Sequence, residues 1–536
     1  MSFPWMLSLV VGYLSLSQEI LWVRLIGFVQ GGAPVAFALV LTCYLIGIAI
    51  GAAIGKMFCD RSRDLYAVAA WTLLLAAVTD PLPPLLGTWI AYHGGPVTLL
   101  HVLPPVLAIV ATAAIKSVLF PIAHHLGSNQ SGARVGSSVS NIYFGNIIGA
   151  TLGPIVTGFF LLDRLTVDEN FRLIGALSLV MAAACALKAQ SQQGGRRLLL
   201  GGVLVGVLLT LVSPRSNFVA DAAELFADGT AKEPIHGTLT HVVQNKHGVI
   251  HAVALPGRDD DMIYGGNIYD GRVNVDARRN SNGIDRVYLL AALHPKPKRV
   301  LVIGMSAGSW TQALVGFPGV EQIDVVEINE GYLSLMTQYP AVAPVLKDPK
   351  VRIHVDDGRR WLRRHPDAQF DLIVMNTTFH WRANVTNLLS REFMVEIARH
   401  LEPKHGVLTF NTTQSLDAFR TASDVFPAVY RYAGFAYAGF DDFRVDAEVS
   451  RTRLSQVQVH GKPIFEAEDF QASGSGAKLA GARLEPAQDL LKRHAAPAGV
   501  ITDANMLTEF RHGKRTGIAL LDRLLPPRED VLIRDR

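Results

Sequence analysis

The chain is poor in cysteine and, through its first 215 residues, poor in charge. Cys43, Cys59 and Cys185 are its only cysteines, too few for a disulfide framework and not at a metal-ligand spacing. Its second half has no Lys/Arg stripe interleaved with aromatics, which argues against nucleic acid, and the net charge of +4 averages two unlike halves. The opening "MSFPWMLSLVVGYLSLSQEILWVRL" lacks a basic n-region and a small-residue cleavage site, so it is expected to be a retained span rather than a signal peptide. His236, His241, His247 and His251 are too scattered for a metal site and are expected on the surface or at strand edges. No metal is expected.

Apolar length takes the place of charge. Hydrophobic residues make up 49% of the chain and mean hydropathy is +0.26, too high for an ordinary soluble enzyme. A hydrocarbon core about 30 Å thick needs about 20 apolar helical residues. Seven segments approach that length: 5–28, 34–55, 65–91, 97–122, 138–162, 171–188 and 198–213, the last being the shortest. Gly47, Gly51 and Gly55 recur four apart, a spacing that lets membrane helices approach closely. The pattern predicts an integral multi-pass protein of a bacterial inner (plasma) membrane, with the lipid bilayer as partner. Lys56, Arg61 and Arg63, then Arg134, then Lys188, Arg196 and Arg197 mark the even-numbered loops as cytoplasmic. A seventh span would then carry the soluble half to the outer face. Glu19 lies inside the first span, where an ionisable group needs a reason; the readings are a partner on another helix, with Lys116 as the candidate, or a substrate or proton pathway.

From residue 299 the pattern alternates short Val/Ile-rich runs with helical stretches, which predicts a parallel sheet with crossover helices. Strands are expected at 299–304, 322–328, 351–355, 370–375 and 406–411, preceded by hairpin-forming β structure. Ligands in such sheets bind beyond the carboxyl ends of the strands. At those ends stand "GMSAG" with Gly304, Ser306 and Gly308, then Glu327, then Asp356 and Asp357. A glycine turn, a carboxylate able to accept two ribose hydroxyls and an acid pair where an adenine edge would lie point to an adenosyl nucleoside.

"PKRVLVIGMSAGSWTQALVGFPGVEQIDVVEIN", "VDDGRRWL" and "FDLIVMNTTFHWRANVTNLLSREFM" resemble the polyamine aminopropyltransferase (spermidine synthase) family, over about residues 235–440. "SQEILWVRL", "GAAIGKMFCDRSRD" and "NIYFGNIIGATLGPIVTGFFLL" look like the multi-span proteins that carry such a domain, and "VITDANMLTEF" is similar to their closing segment. The resemblance implies an N-terminal all-α multi-span membrane bundle (1–215), a linker and β cap (216–298), and a C-terminal α/β Rossmann-like domain of the class I S-adenosylmethionine methyltransferase/spermidine synthase type (299–536). It also implies S-adenosylmethionine or its decarboxylated form as cofactor, a small amine-bearing substrate or a peptide, and a homodimer.

Three family positions depart together. "GMSAG" has Ala307 where the family has an acid, Asn376 replaces the Asp after the fourth strand, and "YGGNIY" puts Gly265 and Tyr269 where an Asp-Gly-x-x-Gln segment is usual. A diamine enters as a dication, with amine pKa values of about 10.4, and one group must take a proton before nitrogen can attack. Asn376 can hydrogen-bond but cannot be that base. His380, four residues on, titrates near pH ~6.5 when unperturbed and suits the role; Trp381 and Tyr269 would face the substrate, and Arg382 could grip a carboxylate or phosphate.

Three readings follow. One is a membrane-anchored transferase with a non-standard acceptor. Another is an outward-facing domain without the nucleoside, using Asn376 and His380 for acid–base rearrangement or cyclisation of an amine-bearing substrate or peptide terminus. The third is a transporter-like or sensor protein with an inactive domain. Near the end, 470–486 reads as a flexible surface segment and "GKRTGIALLDRLLPPRED" as a short amphipathic helix.

Overall fold

In the computed structural model, residues 2–92, 99–129, 135–190, 193–212, 217–227, 236–376, 379–471, 473–494, 497–511 and 532–533 are described. The chain divides into two compact units, Met1–Val249 and Ile250–Arg536.

The first unit is helical: α1 (Phe3–Val29), α2 (Pro34–Arg61), α3 (Leu65–Thr79), α4 (Pro83–Tyr92), α5 (Leu99–Ser117), α6 (Leu119–Asn129), α7 (Val135–Val156), α8 (Val167–Lys188), α9 (Gln193–Val212) and α10 (Phe218–Ala227), followed by strand β1 (Thr238–Asn245). Local chemistry sets several ends. Thr166 and Glu169 form a reciprocal capping box at the start of α8, satisfying backbone donors that the helix leaves open. The expected span 65–91 is instead two helices, because Asp80 and the prolines after it interrupt the ladder between α3 and α4. Among the described residues five helical stretches are long and apolar enough to cross a membrane: Phe3–Val29, Pro34–Arg61, Leu103–Ser128, Val139–Leu161 and Val167–Lys188.

The small-residue stripe packs as expected. A Cβ on Gly47 would stand 2.6 Å from Val110 O, and one on Gly51 would stand 2.2 Å from Ala114 O, so α2 and α5 meet backbone to backbone. The expected Glu19–Lys116 pair does not form. Lys116 is buried with Asp80, its ion-pair partner, and donates to Gln18 Oε1 at 3.0 Å. Helix periodicity explains the correction: Gln18 lies about 100° round from Glu19 and points into the bundle, while Glu19 is half-buried.

The second unit holds a small antiparallel sheet of β2 (Gly248–Ala254, beginning at the end of the first unit), β3 (Met262–Gly265) and β4 (Ile268–Arg272). The larger sheet contains β5 (Arg299–Ile303), β6 (Gln322–Glu327), β7 (Val351–Val355), β8 (Leu372–Met375), β9 (Val407–Asn411), β10 (Ala428–Tyr432), β11 (Phe435–Gly439) and the two-residue strand Glu485–Pro486. Their order is Glu485–Pro486, β10, β11, β9, β8, β5, β6, β7. β7, β6, β5, β8 and β9 run parallel, while β11 and β10 are antiparallel. β8 is buried at all four positions, the continuous apolar run that a parallel strand covered on both faces requires. Helices α11 (Asp285–Leu293), α12 (Ser309–Val315), α13 (Gly331–Met336) and α14 (Gly358–Arg364) fall between strands. This is a Rossmann-like α/β fold.

Two expectations are corrected here. The 470–486 segment is ordered into a helix at Ser475–Ala480 and the strand Glu485–Pro486, because pairing with β10 satisfies its backbone. His251 is buried at 1% exposure and stacks on Tyr264 with ring centroids 4.8 Å apart. The 513–530 helix and Arg134 lie outside the described residues.

Candidate active site

Strand order reverses between β5 and β8, and the crevice of such a sheet opens at that point. Gly304 follows β5 and Asn376 follows β8. Gly304 has φ 84°, and a Cβ there would meet nothing nearer than Asn376 O at 3.9 Å. The turn is therefore uncrowded at the reversal, with only an ordinary contact to Asn376 O, and glycine holds the left-handed backbone at little cost.

Glu327, at the end of β6, ties this turn down. Its Oε2 accepts from Met305 N at 2.6 Å and its Oε1 from Asn329 N at 2.8 Å. Burial pushes its carboxyl up to about 7, although those backbone donors pull the other way. Ser306 is a third backbone partner; a carboxylate offers about four acceptor sites, so these bonds leave about one for a ligand. Ser306, at φ 48°, donates from Oγ to Asp270 O at 2.9 Å, and Ser309 Oγ donates to Arg272 O at 3.0 Å. The turn is thereby stitched to β4.

The two acids after β7 take different tasks. Asp356 is ion-paired with Arg360 and, at 3.3 Å, with Arg364. Asp357 caps α14, accepting from Arg360 N at 2.9 Å. Only Asp357 of the pair is without an ion pair among the described residues.

A small cleft beside the reversal is lined by Asp270, Arg272, Asn282, Met305, Ser306, Trp310 and Asn376 among others. Asp270 is its carboxylate. Tyr332 Oη donates to Asp270 Oδ2 at 2.5 Å. Burial raises the Asp270 carboxyl, and the Tyr332 hydroxyl and the Arg382 charge partly offset that rise. Gly266 has φ 58°, a left-handed backbone that glycine holds at little cost, and Arg382 Nη2 lies 2.7 Å from where a Cβ there would stand.

Residues 287–424 match the spermine/spermidine synthase domain. The C-terminal region carries that domain. A polyamine aminopropyltransferase of Streptococcus uberis is 34% identical over 152 residues, 26% of this chain and 52% of that protein; the chain thus spans about half the length of that relative. Polyamine aminopropyltransferase 2 of Streptomyces coelicolor is 25% identical over 409 residues, 72% of this chain and 70% of that protein, more than the second unit alone supplies. A spermidine synthase solved with the transition state analogue AdoDATO matches with TM-score 0.35 and 17% identity, over 43% of this chain and 81% of that chain. The chain is therefore related to spermidine synthase-like transferases.

Within the synthase domain, the fold brings Gly304, Ser306 and Asn376 together at the crevice, with Glu327 bound to its floor. His380 lies elsewhere: it is 2% exposed, its Nδ1 is 2.5 Å from Thr413 Oγ1, and its carbonyl accepts from Thr508 Oγ1 at 2.9 Å. Trp381 packs near Phe379, ring centroids 5.8 Å apart. Tyr269 meets Tyr264 edge to face and remains 37% exposed. Glu19 belongs to the first unit. Asp270, Tyr332 and Arg272 escaped the sequence reading; the one signal was an acid in "NIYDGR", which reads locally as turn chemistry.

Proposed function

We propose that the chain is a membrane-anchored, aminopropyltransferase-like transferase that binds an adenosyl nucleoside, S-adenosylmethionine or its decarboxylated form, and acts on a non-standard amine acceptor. The carrying observation is the uncrowded Gly304 turn at the strand reversal, with the Glu327 carboxylate bound beneath the same turn. These residues fit the nucleoside: Glu327 would take ribose hydroxyls, Asp357 the adenine edge, and the Gly304–Gly308 backbone would lie along it. When bound, the nucleoside supplies an electrophilic carbon on a sulfonium. The chain's own tasks are to orient the acceptor amine and take its proton, and Asn376 can do only the first.

Lipid anchoring is supported by the five long apolar helices and by outward apolar side chains such as Phe37, Leu45 and Phe159, which are 55%, 57% and 63% exposed. Such a surface suits hydrocarbon better than water. Calorimetry with 5′-methylthioadenosine on full-length protein in nanodiscs tests the nucleoside. Saturable heat that weakens at least tenfold in Glu327→Ala is expected; no heat with this or any adenosyl sulfonium removes the reading. The loop charges favour the second reading, an outward-facing domain without the nucleoside. A C-terminal reporter active only in the cytoplasm ends that version.

A further inference from the structure

The acid that the family pattern places after the fourth strand is Asn376 here, yet the cleft is not without a carboxylate. Asp270 reaches the same cleft from β4, a different element, and is held by Tyr332 Oη. The cleft also contains a guanidinium. Arg272 lines it two residues further along the strand. Its nearest acid is Asp260, at 3.6 Å, and Arg258 already holds Asp260 at 2.7 and 2.9 Å, so the Arg272 charge is only partly balanced. Arg382, which is not among the residues lining the cleft, helps hold the Asp270 carboxylate in its charged form. A dicationic diamine would meet one carboxylate and one guanidinium there, and its second ammonium would face a charge of its own sign. An acceptor with one ammonium and one anionic group meets the opposite sign at both ends.

Resting on the nucleoside reading above, we propose that Asp270 is the group that binds and deprotonates the acceptor amine, and that the acceptor is a zwitterion whose anionic end is held by Arg272. Asp270 accepts the ammonium proton. The freed nitrogen lone pair forms the N–C bond to the sulfonium-activated carbon, and the C–S bond breaks with its electron pair staying on sulfur. Neutral thioether nucleoside and a secondary ammonium result. Asn376, which also lines the cleft, supplies neutral hydrogen bonds that orient the amine without adding charge.

The test uses a matched pair of probes, 4-aminobutyrate and 1,4-diaminobutane, which share a four-carbon amine skeleton and differ in a carboxylate against a second ammonium. Each is titrated into full-length protein in nanodiscs, with and without saturating 5′-methylthioadenosine. We expect 4-aminobutyrate to bind at least tenfold tighter than the diamine. Asp270→Asn should weaken it at least tenfold while leaving the methylthioadenosine heat unchanged, and Asp270→Glu should recover part of the loss. Arg272→Gln should shrink the preference between the probes. Equal or tighter diamine binding, no response to Asp270→Asn in a variant that melts like wild type, or no binding of either amine overturns the proposal. If neither methylthioadenosine nor an adenosyl sulfonium gives heat, the nucleoside reading fails by itself; an Asp270-dependent preference for 4-aminobutyrate alone then keeps the acceptor assignment, and its loss removes both.

Discussion

Asp80 and Asp270 are both buried aspartates with opposite uses. In the helical unit Asp80 is saturated: Lys116 pairs with it, Gln18 Nε2 donates to Oδ1 at 2.8 Å, and Ser178 Oγ donates to Oδ2 at 3.2 Å. In the second unit Asp270 is offset less fully, by the Tyr332 hydroxyl, Ser306 and the Arg382 charge, and lines a cleft. A buried charge is costly wherever it stands. What separates the two is whether the cost is offset inside the fold or left for a ligand to offset.

Breaking that contrast should first show in stability. Asp80→Ala strands the Lys116 ammonium in an apolar bundle and should cost about 3–5 kcal/mol, read by SDS titration with tryptophan fluorescence; Asp80→Leu with Lys116→Met should recover most of it. Asp270→Asn should change the same midpoint by less than about 1 kcal/mol, because its hydrogen-bonding shape survives.

Histidine protonation supplies the next effect. Burial lowers His251 to about 4, well under its ordinary 6.5. The unfolded chain takes up the proton first, so stability present above pH ~6.5 falls as pH drops toward ~4, by on the order of 3 kcal/mol. His251→Phe should flatten that acid limb in unfolding curves. Glu327 carries the opposite sign: its raised carboxyl favours the folded state at low pH, and that contribution fades as pH rises through about 7.

Glycines sharpen the comparison further. A Cβ on Gly149 would stand 1.8 Å from Leu9 O, inside the α1–α7 contact, so Gly149→Val should cost about 1–3 kcal/mol by overpacking. Gly304→Ala meets only an ordinary contact, Asn376 O at 3.9 Å; it should cost about 1 kcal/mol for its positive φ and weaken methylthioadenosine binding, read by calorimetry.

Much of this architecture was legible before any coordinates. Runs such as "RVLVIG" and "FDLIVM" predict buried parallel strands, and the strands lie at 299–303 and 372–375. The antiparallel end was not legible, since "AVYRY" and "FAYAG" become strands only by pairing with each other and with β9. In the site, the Gly304 turn and Glu327 follow from strand-end logic, whereas Asp270 does not. Its partner Tyr332 lies 62 residues away, and no local period links them.

From the sequence by itself came the division into an apolar helical half and an α/β half, the strand ends and the family resemblance, because periodicity and hydropathy are local properties of the chain. Only the tertiary structure decided which charges meet: Lys116 with Asp80 rather than Glu19, Asp356 with its arginines, and Asp270 in the cleft left without an acid at Asn376. Electrostatic partners are chosen by distance in space, and folding brings together groups that the chain keeps far apart.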